Sequence, residues 1–186
     1  MINLSGFVGV SVCLLIVFPS CSQRKAKAGD REFYSAIEYN DFIVDQQNQV
    51  IQKMVSLTNC YDEGTPAEVK MNFNNLVKQA EQCSANIGQL SDFDGDSTLK
   101  REARNLFGFY NHIFHNEYKK MVDIFLKGPN ASDSDIVELN TIVQEVRKKE
   151  DSLNQKLGNV QVAFARKFKF EFSDGTDSSQ ALELAK

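Results

Sequence analysis

Apolar side chains recur along most of this chain at alternating steps of three and four residues. Val69, Phe73, Leu76, Ala80, Cys83, Ile87 and Leu90 hold that step without a break, which lines one face of a helix. Leu99, Ala103, Leu106, Tyr110 and Ile113 repeat it, and the stripe then slips by one residue to Phe114, Tyr118, Met121 and Phe125. Ile136, Leu139, Val143, Val146, Leu153, Leu157, Val160 and Phe164 form a third stripe. Ala36, Ile43, Val50, Met54 and Leu57 form one nearer the N-terminus. The pattern predicts four helices, over 31–59, 66–90, 97–127 and 132–168.

Punctuation agrees with the stripes. A proline inside a helix removes a backbone hydrogen bond and clashes with the preceding turn, and none of Pro19, Pro66 and Pro129 falls inside a stripe. Thr65-Pro66-Ala67-Glu68 offers an N-cap hydroxyl, proline at the first helical position and a glutamate to close a capping box. Gly128-Pro129 ends the third helix, Ser132 with Asp135 can cap the fourth, and Asp96 or Ser97 can open the third. The connections 60–65, 91–96 and 128–131 are short, so neighbouring helices must run antiparallel. The expected architecture is all-α, an up-down-up-down antiparallel four-helix bundle over 31–170. A basic tether over 21–30 precedes it and a flexible tail over 171–186 follows. The alternating Lys167-Phe168-Lys169-Phe170-Glu171-Phe172 leaves two readings: a helix end whose phenylalanines cover the bundle base, or an extended segment able to pair with another chain.

Ahead of the bundle, residues 7–18 are uncharged and almost wholly apolar, the length of a signal-peptide core and short of the ~20 residues of a membrane span. Phe18-Pro19-Ser20-Cys21 then sets a small residue directly before a cysteine. This resembles the lipobox of bacterial lipoproteins and implies a signal peptide over 1–20 with lipid attached at Cys21. Phe18 and Pro19 depart from the usual leucine and small residue. No Lys or Arg precedes the run, while Arg24, Lys25 and Lys27 follow it, a charge order that favours an uncleaved anchor. Two or more acyl chains hold a protein stably on a membrane. With Ser22 after the cysteine, the resemblance implies a bacterial cell-envelope protein, lipid-anchored at the outer membrane on its periplasmic or surface face.

Composition narrows the function classes. With 186 residues, 42% hydrophobic and 25% charged, the chain can bury one core without staples, and its net charge of −4 offers no broad basic surface for nucleic acid. Cys60 and Cys83 should not pair, because one ends the first helix and the other lies well down the second, farther apart than the ~7 Å a disulfide allows. His112 and His115 lack the Glu-x-x-His context of a di-iron bundle. Asp92-Phe93-Asp94-Gly95-Asp96 opens like an EF-hand loop, but glycine falls at the fourth position and Ala103 at the twelfth, so it reads as an acidic turn. No Gly-rich phosphate loop, HExxH or nucleophile elbow occurs, so neither enzyme, metal nor cofactor is expected.

Polar residues interrupt the seams. Asn40 and Gln47 face inward in the first helix, and Glu150 falls between Val146 and Leu153 in the fourth. Laid antiparallel, Gln47, Tyr110 and Glu150 come to one height, within about one 5.4 Å turn. A buried carboxylate must be hydrogen-bonded or paired. Asn40, Gln47, Tyr110 and Glu150 therefore form either a network that fixes helix register or a small site for a ligand or ion.

Tyr39-Asn40-Asp41-Phe42-Ile43-Val44-Asp45-Gln46-Gln47-Asn48 is similar to the first-helix signature of a family of all-helical surface lipoproteins of spirochaetes and Bacteroidota. That likeness implies a membrane-anchored helical protein with no catalytic residues to carry over. Asp96-Ser97-Thr98 and Asp151-Ser152-Leu153 resemble the three-residue O-glycosylation sequence of Bacteroidota envelope proteins. The expectation is a non-catalytic helical module, held to the membrane by its N-terminal lipid and presenting helix faces to a protein partner in the envelope. A small-ligand or ion-binding bundle is the alternative.

Overall fold

The computed structural model describes residues 25–171, so the signal segment, Cys21 and nearly all of the tail over 171–186 lie outside the described residues. The chain enters through a hairpin: β1 (Ala26–Ala28) pairs antiparallel with β2 (Arg31–Phe33), with Ala26 opposite Phe33. The hairpin stands where a tether over 21–30 was expected, of which 21–24 lie outside the described residues, and the first helix starts at Ala36, not at 31. Gly29 takes φ +57 in the first central position of the two-residue turn, where primed hairpin turns favour glycine. A Cβ there would also stand 2.4 Å from Gln89 Oε1. Ala26 and Phe33 turn into the core while Lys27 and Glu32 face out, a period-two pattern too short to stand out in the sequence.

Helix α1 (Ala36–Glu63) begins behind a capping box that the sequence reading passed over. The Glu38 N–H donates to Ser35 Oγ at 3.3 Å, and the Glu38 carboxylate accepts from the N–H groups of Ser35 (3.1 Å) and Tyr34 (3.0 Å). Those backbone donors hold the Glu38 carboxyl below its ordinary range. Helix α2 (Pro66–Gly88) starts at the Thr65–Glu68 box with proline at its first turn, as its sequence predicts. Helix α3 (Thr98–His115) is opened by Asp96, whose Oδ1 accepts from the Thr98 N–H at 2.8 Å, while the Ser97 side chain makes no cap.

The single helix expected over 97–127 is broken at Asn116 (φ −116, ψ −74), and α4 (Glu117–Phe125) follows. The break lies just past the slip in the stripe, where Ile113 and Phe114 are both buried. Beyond it Val122 and Ile124 are buried, and Phe125, expected inside, is 36% exposed. A 3-10 turn (Gly128–Asn130) leads to α5 (Asp133–Phe168), which starts at the Ser132–Asp135 box.

Hydrogen bonds give the helix directions. Gln46 meets Asn86 and Gln49 meets Gln79 between α1 and α2; Glu81 meets His115 and the Gly88 carbonyl meets Arg104 between α2 and α3. Asp96 meets Lys167 and Tyr110 meets Glu150 between α3, with its leading loop, and α5; Asn40 meets Gln161 and Gln47 meets Asn154 between α1 and α5. In every pair one number rises as the other falls, so each contact is antiparallel, with α3 and α4 forming one broken rod. The fold is all-α apart from the small hairpin.

The two ends of the core differ. At the hairpin end Phe33, Tyr39, Phe42, Phe93, Phe164, Phe168 and Phe170 form a chain of ring contacts with centroids 4.6–6.2 Å apart. Arg31 adds its guanidinium over Phe42 and Phe33 at 5.0 and 5.3 Å. Helix α5 stops at Lys169, which is left-handed (φ 57), and the Phe170 N–H returns to the Ala165 carbonyl at 3.1 Å. Phe168 and Phe170 thus cover the bundle base rather than forming a free strand.

At the other end the apolar stripe expected in early α5 is shifted. Ile142 and Val146 are buried, whereas Ile136 is 47% and Val143 36% exposed. The flank of α5 that bonds α1 through Asn154 continues through Val143 and Ile136, about three and five turns earlier, and is uncovered there.

Candidate functional site

The polar layer forms where α1, α3 and α5 converge. The Tyr110 hydroxyl, on a ring buried to 1% exposure, donates to Glu150 Oε1 at 3.2 Å. Gln47 Nε2 donates to Asn154 Oδ1 at 3.0 Å, and both amides also reach the Tyr110 phenol. Three of the four residues named from sequence therefore meet. Asn40 does not: it is about two turns away toward the aromatic end, accepting from Gln161 Nε2 at 3.1 Å.

Sequence reasoning missed Asn154, Gln161 and the pair of buried Gln46 with half-buried Asn86, joined at 2.8 Å. A signal for two of them was present. Asn40 and Gln47 are seven residues apart in α1, and Asn154 and Gln161 are seven apart in α5. Antiparallel helices carrying matched amides at heptad spacing bring them together at two levels, a ladder that a one-residue slip would leave unpaired.

Burial sets the protonation states. It raises the carboxyl of Glu150 above its ordinary value, a rise that the Tyr110 hydrogen bond and Arg147 oppose and neighbouring Asp151 adds to. Burial, then the charge of Glu150, drives the Tyr110 phenol well above its usual range. Tyr118 is raised for the same two reasons, with Tyr61 adding a little. Burial alone pushes Tyr61 up to about 12, and its buried Oη has no hydrogen-bond partner among the described residues. The neutral Tyr110 phenol bonded to the Glu150 carboxylate makes a polar spot against an apolar core.

The other candidates resolve into local structure. In the 91–96 loop Asp92 pairs with Lys100, Asp94 with Lys25 at 3.4 Å, and Asp96 with Lys167, so each acidic side chain faces a lysine from a different element. Asp94 (φ 48) and Gly95 (φ 81) make its tight turn. Burial works against the Asp96 carboxylate, yet Lys167 and the Thr98 side chain and N–H together hold it down to about 2. His115 Nε2 meets Glu81 Oε1 of α2 at 3.0 Å, whereas His112 meets Glu117 across the Asn116 break at 3.8 Å, so the two histidines take different partners. Among the described residues no group of three or more His, Cys, Asp or Glu side chains is placed to hold a metal. Cys60 Sγ accepts from Asn72 Nδ2 at 3.1 Å, and Cys83, a small buried seam residue, accepts from Gln79 Nε2 at 3.3 Å; both are unbridged thiols. Burial raises the Cys83 thiol, against the Gln79 bond.

Among the described residues no helix is long and apolar enough to cross a membrane. No family model, curated protein or solved structure matches the chain.

Proposed function

We propose that this chain is a lipid-anchored protein of the bacterial envelope whose helical bundle serves as a non-catalytic interaction module. The observation that carries the reading is the apolar run 7–18 followed by Pro19-Ser20-Cys21. The first described residue, Lys25, lies at the aromatic end of the bundle, bonded to Phe33 and the 91–94 loop. An anchor at Cys21 sets that end against the membrane and the uncovered flank of early α5, with Ile136, Val137 and Val143, at the far end. At 1.5 Å per residue the 36 residues of α5 span about 54 Å, enough to hold that flank clear of lipid headgroups. With Ser22 after the cysteine, the outer membrane is the proposed destination. The test is metabolic labelling with a palmitate analogue. The chain should incorporate label and Cys21→Ala should abolish it; label retained by the variant refutes lipidation at Cys21.

A second reading, a bundle that holds a small ligand or ion at the polar layer, draws on the half-buried Glu150 with its Tyr110 bond and on the Gln47–Asn154 amide pair. Replacing Gln47 and Glu150 together by Leu separates it from a register-fixing role. A broadened, multi-state NMR spectrum marks the layer as register-fixing. A sharp spectrum with loss of a co-purifying small molecule supports the ligand.

A further inference from the structure

The outer seam between α1 and α2 holds a groove of about 310 Å³ lined by Lys53, Asn75, Lys78, Gln79 and Gln82. The α2 members are spaced 75, 78, 79 and 82, one helical stripe, and Lys53 faces them from α1. The antiparallel register given by Gln46–Asn86 and Gln49–Gln79 brings Lys53 level with Lys78. Two lysines thus line one groove, and among the described residues neither is in an ion pair.

The charge pattern around them is one-sided. No acidic residue occurs in α1 between Asp45 and Asp62, or in α2 between Glu68 and Glu81, although the chain as a whole is acidic at −4. Glu81, one turn along α2 from Lys78, meets His115 of α3 at 3.0 Å, which leaves the two lysines without a carboxylate partner, and an anion seated between them relieves their repulsion. The rest of the lining is carboxamide, which both donates and accepts and so suits ligand hydroxyls. Gln79 is already oriented, donating to Gln49 Oε1 at 3.0 Å and to Cys83 Sγ, and it and Lys53 are half-buried.

We propose that this groove binds an acidic saccharide, with Lys53 and Lys78 holding its anionic group and Asn75, Gln79 and Gln82 its hydroxyls. The site is separate from the polar layer and does not depend on lipid anchoring.

The test titrates the full chain, ¹⁵N-labelled and purified in a non-ionic detergent, with a galacturonate tetramer, a neutral glucose tetramer and inorganic sulfate. The uronate should shift the amide signals of 53, 75, 78, 79 and 82 saturably, and Lys53→Gln or Lys78→Gln should each weaken it about tenfold, the worth of one charge-assisted hydrogen bond. Lys169→Gln, at the hairpin end, should leave it unchanged, and matching circular dichroism checks that each variant folds. Absence of saturable shifts overturns the proposal, as does binding that survives the double substitution. Equal binding of the neutral tetramer removes the role of the lysines. Equal binding of sulfate reduces the groove to a bare anion contact, which also overturns a saccharide site.

Discussion

The two ends of the bundle are built from the same helices but closed by different chemistry. At the hairpin end, rings from β2, α1, the 91–96 loop and α5 interlock, and three lysines from three elements neutralise the loop. At the far end two ring pairs, Phe114 with Tyr118 at 4.9 Å across the Asn116 break and Tyr61 with Phe125 at 4.5 Å below it, are what the rings supply, and Ile136, Val137 and Val143 are left exposed. The difference teaches that long matched stripes suffice to align helices, whereas closing a bundle end takes residues from outside the helices. Where the chain supplied a hairpin and an aromatic loop, the end is sealed; where it supplied two short turns, the end is open to another surface.

Removing a ring from the sealed end is the severest way to break this contrast. Phe93→Ala should lower unfolding stability by about 3–5 kcal/mol, because Phe93 is 2% exposed and touches Tyr39, Phe164 and Phe168. Phe125→Ala should cost less than half as much; equal urea midpoint shifts for the two would erase the asymmetry.

Two carboxylates test it through pH with opposite signs. Asp96 is depressed to about 2, so its stabilisation is complete above the unfolded value of 3.8 and is lost as pH falls toward 2. Asp96→Asn should cost about 1 kcal/mol at pH 6, allowing for solvent around Lys167, and nothing below pH 2. Glu150 is raised, so the folded state holds its proton more tightly and stability falls as pH climbs from 4.5 through the folded value. Glu150→Gln should therefore remove that decline and stabilise the protein at pH 7 by about 1 kcal/mol, keeping the Tyr110 bond. Urea titrations across pH 2–8 read both; parallel slopes for wild type and Glu150→Gln would show that the carboxylate is not strained by burial.

The smallest effect belongs to the open end. Val143→Ser should change stability by less than about 0.5 kcal/mol, since the side chain already meets water. A loss above 1 kcal/mol in thermal unfolding would mean that this flank is packed after all.

Helix order and two of the three capping boxes were legible because each depends on local spacing: the Thr65–Glu68 and Ser132–Asp135 boxes sit where their residues predict, while the Ser35–Glu38 box lay past the expected helix start. The hairpin was not, because three-residue strands carry too few positions for a period and Gly29-Asp30 is a short signal. The Asn116 break was visible only as the slip from Ile113 to Phe114, which a continuous helix could also have absorbed by twisting. Of the polar layer, Gln47, Tyr110 and Glu150 could be placed by counting rises along rods, but Asn40 was one level off and its partner Gln161 was hidden between Val160 and Val162, off the apolar stripe. The flank at Ile136 and Val143 failed for a different reason. Periodicity reports which residues could be buried, not whether a neighbouring helix is there to bury them.

The hairpin has a mechanical consequence. Lys27 exchanges bonds with Ser91, its carbonyl accepting from the Ser91 N–H at 2.8 Å and its N–H donating to Ser91 Oγ at 2.9 Å, and the Asp94 N–H donates to the Lys25 carbonyl at 2.9 Å. Tension applied to the N-terminus, as from an anchor resisting a pull on the far end, is therefore delivered first to the loop joining α2 and α3 rather than to the first turn of α1. The load enters the bundle at its middle helices, through bonds that must be stretched together, and the helix that follows the hairpin is shielded from being peeled away one turn at a time.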